Sequence, residues 1–313
     1  MQVTPSPTAR VTVGTIDSVS PYALYWNGAD LFLSTGTPNL SQCGGSCTSW
    51  SAYYQNQGLG KITGGAGSAV PTSIISQFTQ ISGIAVDASG NWIISDFGLS
   101  AVFKIASGVT ATSSAARLSP SFAWGNPKGV AVNLANGNIY VLNGNNNGGK
   151  YLVLLTNSGN TATGIGDYYC GGGSSNALAI DSAGKVFGIG GSGSGGGYVW
   201  ALPVGGAACL PIGSLVTNGN SGWWINGGIS VVSGYVFFAA RSSPTGGGVF
   251  MIAPGAGAGG MGTSITQLVS GGTNFNNPVS LAVKSTGGIY VGIAFNGATF
   301  LYYYESSAFP PRG

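Results

Sequence analysis

GIAVDASGNWIIS (83–95) is a short apolar strand with a small residue inside it, a tight Asp/Ser/Gly turn, and a second apolar strand. Five other stretches have the same form: ALYWNGADLFLST (23–35), GVAVNLANGNIYVLN (129–143), ALAIDSAGKVFGIG (177–190), GISVVSGYVFFAA (228–240) and SLAVKSTGGIYVGIA (280–294). Aligned on Ala23, Ala85, Ala131, Ala179, Ser230 and Ala282, they give steps of 62, 46, 48, 51 and 52 residues, the differences of neighbouring numbers. A strand-built period of about 40–50 residues is the signature of a β-propeller with one blade per repeat. The repeats predict an all-β fold, a six-bladed β-propeller of four-stranded blades filling 1–313 as one domain.

A third apolar strand follows each pair: LGKIT (59–63), SAVFKI (100–105), KYLVLL (150–155), YVWAL (198–202), GVFMI (248–252) and TFLYYY (299–304). SIISQF (73–78) and ITQLVS (265–270) are fourth strands. Blade six lacks one, because only ESSAFPPRG follows Tyr304, while RVTVGT (10–15) stands unclaimed at the other end. The N-terminal strand is therefore expected to close the last blade as a clasp, which also removes a sheet edge.

Charged residues make up 5% of the chain, with 57 Gly, no His and a net charge of +3. Ordinary soluble domains carry about 25% charge. No run reaches the roughly 18–20 apolar residues of a spanning helix, so membrane insertion is not expected. The ten basic residues are scattered, so no patch can neutralise successive phosphates and nucleic acid is not an expected partner. A surface so poor in charge has little repulsion against self-association.

The four cysteines are Cys43, Cys47, Cys170 and Cys209. An even number without CxxC or His points to disulfides in an oxidising compartment rather than zinc. Cys43 and Cys47 enclose only GGS, which suits a small loop clip and leaves Cys170 with Cys209; crossed pairing and free thiols stay open. No signal peptide precedes MQVTPSPTAR, which reads as a mature or trimmed form of an extracellular or cell-surface protein.

GIAVDASGNWIISDF (83–97) resembles the NHL-repeat family of propellers, in which a strand, an Asp-x-x-Gly turn and a second strand lead into an Asp-containing segment. The match is good in blade two, partial in three, four and six, and weak in one and five. The chain departs from that family in lacking the Arg and most of the Asp positions after the second strand. The resemblance implies the fold and a range of activities: mostly binding scaffolds, with metal-dependent lactonases and lyases among six-bladed relatives.

The acids are Asp17, Asp30, Asp87, Asp96, Asp167, Asp181 and Glu305. Asp87 and Asp181 are expected to accept hydrogen bonds from turn backbone, with Asp30 in the matching turn of blade one. Asp96 and Asp167 are left as candidate site groups, each alone in its blade. Hydrolytic metals need several strong ligands, and acid–base catalysis needs positioned titratable groups. No metal cofactor is expected, although Asn and backbone carbonyls leave room for calcium.

The loops between strands two and three and between blades share one face. That face receives Trp50, Tyr53 and Tyr54 from a loop insertion at 36–58, Trp124, Tyr168 and Tyr169, Trp223 and Trp224, and Phe275. It also receives the polar tract with Asn145, Asn146 and Asn147. Rings with Asn and Gly on loops suit stacking on sugars or gripping a protein, while Trp124 reads as a cap over a gap between blades. The expectation is a non-catalytic extracellular module: a structural or adhesive subunit of a surface assembly or fibre, partnered by itself or other surface proteins. The alternative is a carbohydrate-binding module on the aromatic face, and the minor one a metal-dependent lyase or lactonase.

Overall fold

The computed structural model describes residues 10–12, 19–38, 54–64, 72–109, 115–147, 150–165, 170, 177–191, 197–215, 223–225, 227–242, 246–254, 265–270, 278–295 and 298–305. They form six antiparallel sheets, the blades of a β-propeller. Blade one runs Val19–Trp26, Asp30–Pro38, Tyr54–Thr63, Thr72–Phe78. Blade two runs Ile81–Val86, Trp92–Asp96, Ala101–Ile105, Ala116–Arg117. Blade three runs Pro127–Val132, Ile139–Asn147, Lys150–Thr156, Thr161–Ile165. Blade four runs Leu178–Ile180, Val186–Gly191, Gly197–Leu202, Leu210–Ser214. Blade five runs Ile229–Val232, Tyr235–Ser242, Gly246–Ile252, Ile265–Ser270. Blade six runs Pro278–Val283, Gly288–Phe295, Ala298–Glu305 and is completed by Arg10–Thr12.

The clasp forms as the sequence predicts. Arg10 pairs with Tyr304, Val11 with Tyr303 and Thr12 with Tyr302, antiparallel. The first and last segments of the chain thus share one sheet.

Apolar clusters fill the spaces between neighbouring blades. Ala85, Ile93 and Val102 of blade two pack with Val130, Val141 and Val153 of blade three. Phe187 and Ile189 of blade four pack with Phe238 and Ile252 of blade five. At the closing seam, Leu31, Leu33 and Ile62 of blade one meet Ala282, Tyr290 and Leu301 of blade six. Each fully buried aliphatic side chain contributes about 1.5–3 kcal/mol of transfer free energy, so the ring is held chiefly by these faces. Near-continuous apolar strands are the consequence of burial on both sides.

The innermost strands of blades two, three and six share an irregularity near their starts, between Ile81 and Gly83, Pro127 and Val130, and Pro278 and Ser280. Gly129 lies there against the next blade, where a Cβ would stand 2.6 Å from the Leu178 amide nitrogen. Gly83 is alike, with the Lys128 carbonyl oxygen 2.8 Å from the same point. Only glycine lets the backbones approach so closely, and this narrows the ring at its loop end.

The register corrects the alignment of blade one. Tyr25 pairs with Phe32 and Trp26 with Leu31 before the turn, as Ala85 pairs with Ile93 and Val86 with Trp92. Ala23 therefore corresponds to Gly83, and the small-residue position of blade one is held by Tyr25. The expected insertion at 36–58 is likewise partly hairpin, since Thr37 pairs with Gln55 and Pro38 with Tyr54.

Candidate active site

The innermost strands surround an axial channel with two unequal ends. At the loop end, the space is about 40 Å³, bounded by Ser82, Gly83, Gly129, Gly228 and Ser280 among others. The Ser82 hydroxyl donates to the Pro127 carbonyl at 2.7 Å, and the Ser95 hydroxyl to that of Lys128, so side chains seal what the glycines narrow. Burial lowers the pKa of Lys128 there, but the space beside its strand is too small for a substrate.

At the turn end, a cavity of about 460 Å³ opens on the axis. That volume lies within the roughly 300–1,000 Å³ of small-molecule sites. The second small-residue positions of all six innermost strands line it: Tyr25, Ala85, Ala131, Ala179, Ser230 and Ala282. Five are Ala or Ser, and the sixth is a tyrosine, partly buried and packed against the apolar cluster that blades one and two share. Burial pushes the Tyr25 phenol above its usual pKa, so it stays a protonated donor. Trp26 and the turn residues Asn133, Asp181, Ser182 and Ser285 stand at the rim.

Tyr25 and Asp181 are the titratable residues of this lining, on blades one and four of the six. The Asp181 Oδ1 accepts the Ala183 N–H at 3.0 Å and the Lys185 N–H at 2.9 Å. Asn133 makes the same turn with its amide oxygen, accepting the Ala135 N–H at 2.9 Å. In blade one Asn27 does so, toward Ala29 at 2.9 Å and Asp30 at 2.7 Å. The Asp87 Oδ1 likewise accepts the Ser89 and Asn91 N–H groups, each at 2.9 Å, so Asp87 and Asp181 are turn formers as expected. Asp30 is not: it begins the second strand, accepts the Gly64 N–H at 3.0 Å and pairs with Lys61 at 3.6 Å.

Asp96, expected as a lone site group, is fully buried and away from the cavity lining. Its carboxylate accepts three backbone N–H groups, from Thr79 at 2.8 Å, Gln80 at 3.1 Å and Leu99 at 2.9 Å. It holds the segment leading into blade two. A metal held by acids does not fit the described residues, which contain no group of three or more His, Cys, Asp or Glu. The rim donors Asp181 and Asn133 already carry turn backbone.

The expected aromatic site is only partly visible. Trp50, Tyr53, Tyr168, Tyr169, Phe275, Cys43, Cys47, Asp17 and Asp167 lie outside the described residues. Tyr54 lies on the third strand of blade one, and Asn145, Asn146 and Asn147 extend the second strand of blade three. Trp223 and Trp224 pair with Ser242 and Arg241, which makes them a displaced continuation of the innermost strand of blade five rather than a free loop. Trp124 is a cap, as expected: it is buried, its ring 4.8 Å from Phe122 and its indole N–H on the Leu118 carbonyl. Cys170 and Cys209 form a buried disulfide.

Tyr25 and the axial cavity are what sequence reading missed. Alignment on the turn-forming Asn27, Asp87, Asn133 and Asp181, rather than on small residues, would have put Tyr25 beside Ala85.

No protein-family profile and no curated protein matches the sequence. Solved structures do share the fold. A gluconolactonase from Xanthomonas campestris superposes with a TM-score of 0.61 at 13% identity, over 94% of this chain and 89% of its own. A PQQ-bound aldose sugar dehydrogenase from Streptomyces coelicolor gives 0.59 at 13%, over 96% and 99%. A streptogramin B lyase gives 0.55 at 9%, over 95% and 98%.

These likenesses overturn the expectation of a non-catalytic structural or adhesive subunit, and with it the reading that the chain is not an enzyme. Among the propellers that match it along most of their length are a lactonase, a dehydrogenase and a lyase. The physical reason lies in what the composition reported. Few charges and no histidine describe the solvent-facing surface and one kind of acid–base catalyst. They are silent on an axial cavity, which six converging strands create whatever the surface carries.

Proposed function

We propose that this chain is a catalytic propeller that opens a lactone-type ester of a small molecule in the turn-end axial cavity. The observation that carries the reading is the 460 Å³ axial cavity, in which a protonated tyrosine stands where the other blades place Ala or Ser. The activities named for the lactonase and the lyase that share the fold support it. In this reaction water adds to the ester carbonyl carbon, the ring C–O bond breaks, and the ring oxygen leaves as a hydroxyl. The acid formed ionises and releases one proton. Tyr25 donates a hydrogen bond to the carbonyl oxygen as negative charge develops there. Asp181 takes the proton of the attacking water and returns it to the ring oxygen as the C–O bond breaks. No step is routed through a metal, because the rim donors do not form a ligand set.

The VDASG turn and the buried Asp96 after the second strand support an NHL-like repeat in blade two. The buried Cys170–Cys209 disulfide supports an oxidising compartment.

The test is proton release, followed with a pH indicator, from a panel of alkyl and sugar lactones. Opening above the uncatalysed rate is expected, with loss in Asp181→Asn. That variant keeps its turn, since Asn27 and Asn133 make the same turns with amides. The mass of the product separates water addition from elimination. No release from any lactone, or full activity in Asp181→Asn, overturns the proposal.

A further inference from the structure

The wall of the axial cavity is made of sheet edges, one from each blade. The turn of blade four closes with the Asp181 N–H on the Lys185 carbonyl at 3.1 Å. Counting back along that antiparallel ladder, Ala179 exchanges hydrogen bonds with Phe187, and the N–H and C=O groups of Leu178 and Ile180 turn away from it toward the axis. The same count gives Ile84 and Val86 in blade two, from the Asp87 N–H on the Asn91 carbonyl at 2.9 Å. All four residues line the cavity, while the Ile84 and Leu178 side chains are buried between blades. The wall thus presents backbone donors and acceptors at strand spacing.

Blade four adds a charge at the rim. Asp181 gives Oδ1 to its turn, and no hydrogen bond or ion pair among the described residues takes Oδ2. In blades one and two a lysine of the third strand neutralises the aspartate, Lys61 on Asp30 at 3.6 Å and Lys104 on Asp87 at 2.7 Å. Blade four has Ala201 at that ladder step, opposite Phe187 as Lys104 is opposite Ile93. The Lys185 ammonium lies over the Phe187 ring, 5.2 Å from its centre. Lys284 stands across the ring, over Trp26 of blade one at 4.5 Å.

We propose that the cavity also binds the free N-terminus of an extended peptide, with its ammonium on the Asp181 Oδ2 and its second residue paired antiparallel with Ile180. A strand residue opposite Ile180 supplies both the acceptor and the donor that the edge lacks, which is strand addition. The inner strand runs outward from Leu178 to Asp181, so an antiparallel partner runs inward and leaves its first residue beside Asp181. A peptide entering by its carboxyl end would set one carboxylate against another. This ligand goes beyond the lactone reading and competes with the lactone for Asp181.

The test is calorimetric titration of the full chain with trialanine amide. Its N-acetyl form, which lacks the ammonium, is expected to bind at least about tenfold more weakly, the loss of a charge-assisted contact. A ketomethylene isostere of the first peptide bond removes the N–H that meets the Ile180 carbonyl, and is expected to weaken binding about fivefold to tenfold. Asp181→Asn keeps its turn, as Asn133 does with its amide oxygen, and is expected to erase the preference for the free over the acetylated peptide.

Trialanine amide that fails to bind, or binds no better than its acetylated or ketomethylene form, overturns the proposal, as does an Asp181→Asn variant that keeps the preference. No lactone enters this titration, so its failure leaves lactone opening untouched. Conversely, peptide binding as expected in a chain that opens no lactone keeps this proposal and removes that reading.

Discussion

Tyr25 stands at the step of the blade-one ladder where Ala85 stands in blade two, paired with Phe32 as Ala85 is paired with Ile93. Convergence of the blades favours small side chains at this step, and Ala131, Ala179, Ser230 and Ala282 obey. One bulky, hydroxyl-bearing exception among equivalent positions is where a repeat fold departs from packing and acquires chemistry.

The clasp is expected to dominate ring stability. Deleting the first 16 residues removes the strand that covers Ala298–Glu305 and should lower the unfolding free energy by several kcal/mol, on the order of one packed strand. Urea titration measures it. An unchanged midpoint would show that the ring closes without the N-terminal strand.

The seam beside the clasp has a second fastener. The Lys284 ammonium lies 4.5 Å from the Trp26 ring centre, 5.4 Å from Tyr303 and 5.5 Å from Tyr290. Lys284→Gln is expected to cost about 1–2 kcal/mol, the range of a partly desolvated cation–π contact, and Lys284→Arg to restore most of it. Equal stability of wild type and Lys284→Gln would leave the seam to apolar packing alone.

The strands, their number and the clasp were legible because burial on both faces writes apolar runs and the turns write Asn, Asp and Gly. The site was not. Ala23 looked like the right anchor because it is small and precedes a good strand, but register depends on which pairs flank the turn, and Trp26–Leu31 shifts it by two. The Trp223–Trp224 pair read as a loop because Asn and Gly surround it, whereas backbone pairing to Arg241 and Ser242 draws it into the sheet. A cavity on the axis is a property of the closed ring and has no local sequence signal.

Acid should remove one specific contribution. Burial alone would raise the Asp87 pKa, but hydrogen bonds from Lys104 and Asn91 and the Lys104 charge outweigh it and hold the carboxyl at about 2, against an ordinary 3.8. A carboxylate lowered in the folded state stabilises above its unfolded pKa, and that share is lost as pH falls from about 4 to about 2. The Lys104 side chain is 31% exposed, so screening limits the effect to about 1 kcal/mol. Thermal unfolding of wild type and Asp87→Asn should differ at pH 6 and converge near pH 2. A constant difference would assign the stability elsewhere.

Reduction should loosen the junction of blades three and four. The Cys170–Cys209 bridge spans 39 residues, for which loop-closure entropy gives about 4 kcal/mol. Cys170→Ser with Cys209→Ser is expected to lose about 2–4 kcal/mol by urea titration. A loss below about 1 kcal/mol would mean that the buried apolar cluster around the bridge holds the junction unaided.

The most direct test of the axial active site is the rate of lactone opening by Tyr25→Phe against wild type, on the panel member that wild type opens fastest. The account predicts that kcat/KM falls about 100-fold, as for the loss of one donor to a developing oxyanion, with the unfolding midpoint unchanged. Wild-type kcat/KM in Tyr25→Phe would contradict it.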